Sequence, residues 1–96
     1  MLFVTRVIDK IRQLVREQSY MISTHANEEM SADNLRASDV EHALLSGRLA
    51  RRFARDLRGK RYEVIGKSAD GRSVGVVCRI VGMTSLRIIT AYAIED

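Results

Sequence analysis

His25, Glu28, Tyr62 and Tyr92 are the side chains through which this 96-residue chain could move protons. Imidazole titrates near neutral pH, and a carboxylate three residues along a helix shares its face, so Glu28 could orient His25. Near the positive end of a helix the ring would also lie beside free backbone N–H groups that favour a phosphate. Arg51, Arg52, Arg55, Arg58, Lys60 and Arg61 could hold further phosphates, with Phe53 and Tyr62 interleaved as stacking of single-stranded RNA requires. Thr90 and Tyr92 could bring two hydroxyls to one place. Together these groups suit RNA cleavage without a metal: a base for the 2′-hydroxyl, charge to stabilise the phosphate, and a donor for the leaving oxygen. Each has a plainer role as well. His25 can pack at a helix start, Phe53 and Tyr62 can fill the core, and Tyr92 can sit at its edge with one hydrogen bond. His42, mid-helix beside Glu41, reads as a surface residue.

Charge distribution says more than the net value of +4. Residues 17–47 hold Arg36 against six acids, whereas residues 48–61 hold seven basic residues against Asp56 alone. A focused positive stretch attracts polyanions, and phosphate contacts supply most non-specific nucleic-acid affinity. The same stretch would also serve as a solvated strand edge that discourages aggregation.

Other chemistries find little support. One cysteine, Cys78, cannot form an internal disulfide, which points to a reducing, cytoplasmic setting, and its apolar strand predicts an inert, buried thiol. Two histidines and that cysteine lack the spacing of a zinc site, so no metal is expected. No glycine loop suits a nucleotide cofactor, since Gly66, Gly71 and Gly75 read as turns and strand ends, and no cofactor is expected. No apolar run approaches the roughly 20 residues that span a bilayer, so no membrane partner is expected. The first residues place apolar side chains before charges, the reverse of a secretory signal.

The elements that must position these groups follow from periodicity. Val7, Ile8, Ile11, Leu14 and Val15, with Phe3 and Val4, form one stripe of a helix over about 3–17. Ser23 or Thr24 caps a second helix over about 24–33, with Asn34 as a left-handed terminator. Ser38 and Glu41 form a capping box for a third over about 38–46, closed by Gly47. The period then changes to two, and strands are predicted at about 48–56, 61–67, 73–81 and 86–93. Within the first, Leu49 and Phe53 pack inward. Within the last, Leu86, Ile88, Thr90 and Tyr92 share a face. Short turns make neighbours antiparallel. The expected architecture is α+β: a single domain over 1–96, with two to three N-terminal helices packed on a four-stranded antiparallel meander.

Two ordered segments carry a resemblance. One is Ser23-Thr24-His25-Ala26-Asn27-Glu28-Glu29-Met30, followed by Leu35-Arg36-Ala37-Ser38-Asp39-Val40. The other runs from Arg61-Tyr62-Glu63-Val64-Ile65-Gly66 to Arg87-Ile88-Ile89-Thr90-Ala91-Tyr92. Over residues 22–93 the chain resembles the family of domain of unknown function 4258. The signature there is a His-Ala-x-Glu-Arg-Met helix start, a Ser/Thr-x-Asp-Val helix and a closing Ile-Thr-x-Tyr strand. The family is similar in layout to RelE- and BrnT-like toxins, small basic ribonucleases of bacterial toxin–antitoxin systems. The resemblance implies an mRNA-cleaving toxin, with RNA as substrate and an acidic antitoxin-like protein as partner. The alternative is a non-enzymatic module of the same fold that binds nucleic acid or protein. The pattern has Arg where this chain has Glu29, and often where it has Asp33, so phosphate contacts at those places would be lost or taken over by 48–61.

Overall fold

The computed structural model describes residues 6–54 and 57–95, so Phe3, Val4 and Arg55 lie outside the described residues. Eight elements follow in the order α1 (Val7–Arg16), β1 (Tyr20–Ile22), α2 (Thr24–Ala32), α3 (Ala37–Ser46), β2 (Arg48–Phe53), β3 (Arg61–Lys67), β4 (Ser73–Val81) and β5 (Ser85–Ala93). The class is α+β, as the periodicity predicts. The strands form one five-stranded mixed sheet in the order β1-β5-β4-β3-β2. The expected meander is β2 to β5. The extra strand, β1, runs parallel to β5, pairing Tyr20 with Leu86 and Ile22 with Ile88. Three residues are too few to display a period of two, so nothing in the local pattern marks it.

All three helices pack on one face of the sheet. Ile8, Ile11, Leu14 and Val15 of α1, Ala26 and Met30 of α2, and Val40, Ala43 and Leu44 of α3 form one core with Val64, Val74, Val76, Cys78, Leu86, Ile88 and Ala91. The cap of α2 is Ser23, as expected. Its Oγ accepts the Ala26 N–H at 3.0 Å and donates to the Ile89 carbonyl at 3.0 Å, tying the helix start to β5. Asn34 adopts a left-handed φ of 55° and ends α2. The cap of α3 differs from the expected box. The helix begins at Ala37, and Asp39 accepts the Arg36 N–H at 2.9 Å, so Asp39 closes the first turn rather than Glu41.

Gly66, near the end of β3, and Gly75, within β4, each have a neighbour pressed against them. A Cβ at Gly66 would stand 2.1 Å from the Ala43 carbonyl oxygen, so its bareness seats α3 on β3.

Two bulges set which side chains face away from the helices. Leu49 pairs with Val64 and Arg51 with Glu63, leaving Ala50 as an extra residue in β2. Val77 pairs with Thr90 and Cys78 with Ile88, leaving Ile89 as an extra residue in β5. Each extra residue reverses the phase of its strand. Leu49 therefore packs on the core while Phe53 points to the bare face, and Ala91 replaces Thr90 in the interior. The expectation that Phe53 packs inward, and that Thr90 and Tyr92 share a face with Leu86 and Ile88, is thereby corrected.

Candidate nucleic-acid interface

The helix-free face presents a row running Thr90, Val77, Glu63 and Arg51 across β5, β4, β3 and β2. A second row follows from the Arg79–Arg87 and Phe53–Arg61 pairs, since the Tyr62–Cys78 register sets Arg61 beside Arg79. Four arginines and two aromatic rings, Phe53 and Tyr92, thus share one surface. The Arg51 and Arg61 guanidinium carbons lie 5.3 and 5.0 Å from the Phe53 ring centre, within cation–π range.

At the β5 edge stands His25, in the first turn of α2 with its side chain 67% exposed. Its Nε2 lies 3.3 Å from Glu29 Oε1. Sequence spacing assigned that orienting role to Glu28, but Glu28 is exposed and the carboxylate that meets the ring is the one four residues on. The same Glu29 oxygen accepts the Thr90 hydroxyl and the Ala91 N–H, the latter at 3.3 Å. One helical turn further, Asp33 Oδ2 accepts the Ala93 N–H at 2.8 Å.

These acids therefore hold a sheet edge. Beyond Ile22 strand β1 stops, and β5 would be left with unpaired N–H groups. Helix α2 runs alongside in the same direction. Four helical residues rise about 6 Å and two strand residues about 6.7 Å, so carboxylates at 29 and 33 fall opposite the amides at 91 and 93. Arginines could not accept these bonds.

Tyr92 lies flat across β4. A Cβ at Gly75 would stand 2.6 Å from Tyr92 Cζ, so only glycine admits the ring there. The phenol reaches β3 and donates to Glu63 Oε2 at 3.1 Å. Burial, and then the Glu63 bond, raise its pKa above the ordinary tyrosine value; Glu29 pushes the same way and Arg51 opposes. The phenol thus keeps its proton at neutral pH, between the acids at one end of the row and Arg51 at the other. Glu63 is itself only 8% exposed.

The remaining sequence candidates separate. Tyr62 is buried in the core on the helix face, so it cannot join His25 or Tyr92. Arg52, opposite Tyr62 in register, likewise faces the helix side, away from Arg51. Arg58 and Lys60 are exposed in the β2–β3 connection. Strand β2 forms the sheet edge opposite β1, three strand spacings or about 14 Å from β5, so the basic stretch does not form a single ridge beside the imidazole. Sequence reading missed Glu29, Glu63, Arg79 and Arg87. The i, i+4 spacing of His25 and Glu29, and a glycine in mid-strand at 75, were the available signals. Cys78 is buried, as expected, and burial pushes its thiol up to about 12. Among the described residues no cluster of three or more His, Cys, Asp or Glu could hold a metal ion, and no helix is long and apolar enough to cross a membrane.

Comparison with known proteins places this geometry in a family. The model described as "Domain of unknown function (DUF4258)" matches residues 22–93. The chain belongs to the DUF4258 family. Among solved structures it is similar to the ribonuclease toxin BrnT of Brucella abortus, whose crystal structure was determined at 1.1 Å. That likeness has a TM-score of 0.59 at 18% identity, and covers 80% of this chain and 96% of the other. It is a likeness of fold, and it accounts for the toxin-like layout of helices and sheet. No curated protein matches the chain.

Proposed function

We propose that this DUF4258 member is a toxin-like ribonuclease that cleaves single-stranded RNA laid across the helix-free sheet face. The observation that carries the reading is the exposed imidazole of His25, oriented by Glu29 and standing at the end of a face that holds Arg51, Arg61, Arg79 and Arg87. With the Nε2 proton directed to Glu29, Nδ1 is the basic nitrogen, suited to take the proton from a 2′-hydroxyl. Arg61 and Arg51 stand two and three strands across the sheet from β5 and that ring. Their role in this reading is to bind the neighbouring phosphates, while Tyr92 and Phe53 stack bases. No metal or cofactor takes part. The cell compartment is cytoplasmic, and the physiological partner is an acidic antitoxin-like protein.

The test is cleavage of a fluorescently labelled single-stranded RNA in excess chelator. The native chain is expected to cleave it, and His25→Ala to lose about a hundredfold or more in rate while unfolding at the same denaturant concentration. Intact RNA with the native chain would overturn the nuclease reading. A second reading, RNA binding without turnover, draws on Glu63 and the Tyr92 phenol: the tyrosine proton is committed to a carboxylate, and two acids stand among the cations. It expects salt-sensitive binding that His25→Ala leaves unchanged.

A further inference from the structure

On the helix side of the sheet, the first turns of α1 and the free edge of β2 enclose an open groove of about 900 Å³. Arg6, Arg12, Arg48, Arg51 and Arg52 line it, and among the described residues no acidic one does. Arg6 is already engaged, its Nε donating to Asp9 at 3.0 Å. Arg12 spans the groove, with Nη2 donating to the Gly47 carbonyl at 2.7 Å, while its Nε is buried without a hydrogen-bond partner. Arg48 and Arg52 are exposed. The floor between these cations is apolar, built from Val7, Ile8 and Leu49.

We propose that this groove binds an extended acidic peptide segment of a partner protein, which adds a strand to the free edge of β2. Three features select that occupant. Among the described residues strand β2 ends the sheet, with no strand beyond its alternate N–H and C=O groups. A concentration of arginines without an acid demands anions. Among the described residues no aromatic ring lines the groove and its floor is apolar, which favours alternating acidic and aliphatic side chains over a nucleic acid. The strand pleat aims Arg51 and Arg52 to opposite faces, so acids on either side of an added strand would each meet a guanidinium. Apart from Arg51, which turns to the helix-free face, the lining lies on the helix side of the sheet, and occupancy is measured without any reference to cleavage.

The experiment uses the full chain and a synthetic peptide of about ten residues alternating glutamate and valine, followed by NMR titration and by fluorescence anisotropy at low salt. Saturable binding is expected, with methyl shifts confined to Val7, Ile8 and Leu49. Arg48→Glu with Arg52→Glu should weaken it about tenfold or more. Absence of saturable binding would overturn the proposal, as would binding that the double charge reversal leaves intact. A single-stranded RNA that shifts the same three methyl groups and displaces the peptide would also overturn it, in favour of a nucleic-acid groove. Loss of RNA cleavage in the His25→Ala chain bears on the nuclease reading alone, so the two can fail separately.

Discussion

One sheet carries two faces built by opposite rules. The helix side is a continuous aliphatic layer in which Ile88, Leu86 and Val64 are fully buried. The bare side holds Arg51, Arg61, Arg79 and Arg87 around Tyr92, Phe53 and the half-exposed edge of β5. Neighbouring residues of one strand belong to different regimes: Ile88 has no exposure, while Arg87 stands in solvent. Stability is concentrated on the first face, which leaves the second free to carry like charges close together.

The largest expected effect tests that division directly. Ile88→Ala should lower stability in urea unfolding by about 2–5 kcal/mol, through lost burial and a cavity that helices on one side cannot fill. Arg87→Ala, one residue away, should change it by less than about 0.5 kcal/mol. Comparable losses would erase the distinction between the faces.

An intermediate effect belongs to the edge where the faces meet. Glu29→Ala removes the acceptor of the Thr90 hydroxyl and the Ala91 N–H, and should cost about 1–3 kcal/mol. Glu29→Gln keeps an accepting oxygen and should recover most of that. Hydrogen exchange at the Ala91 amide should quicken in the alanine variant and stay slow in the glutamine one.

The smallest effect sharpens the comparison at high pH. Tyr20, on the helix side, donates to Glu41 Oε1 at 2.5 Å, and burial followed by that bond pushes its pKa up to about 12. Tyr92 on the bare side moves in the same direction for the same causes. A folded pKa above the unfolded value of 10.0 means the native state holds the proton more tightly. This contribution is complete below pH 10 and is lost as the pH climbs toward 12. Denaturation midpoints should therefore fall across that window, and Tyr20→Phe should fall less steeply. A midpoint that rises there would reverse the assignment.

Much of the fold was legible because burial imposes a period. The stripe from Ile8 to Val15 could only be a helix with one covered side, and the alternation from Val74 to Ile80 only a strand. Ser23 and Asn34 marked the ends of α2 through their own hydrogen bonding and backbone preference. The site was less legible. His25 was visible as a candidate from its chemistry, but Tyr62 lies in the core, and Glu29 rather than Glu28 meets the ring. A helical spacing admits both three and four residues, and only the neighbouring strand selects between them.

The amino-acid order by itself determined the helices, the four longer strands and the concentration of positive charge, because these depend on periodicity and composition within short windows. The tertiary structure alone decided which way Phe53, Thr90 and Tyr92 point, because a single inserted residue at Ala50 or Ile89 reverses a strand and leaves no mark in composition. It also decided what the carboxylates of Glu29 and Asp33 bond to: their partners are amides some sixty residues away, brought opposite them when a helical turn and a strand repeat advance by nearly the same length.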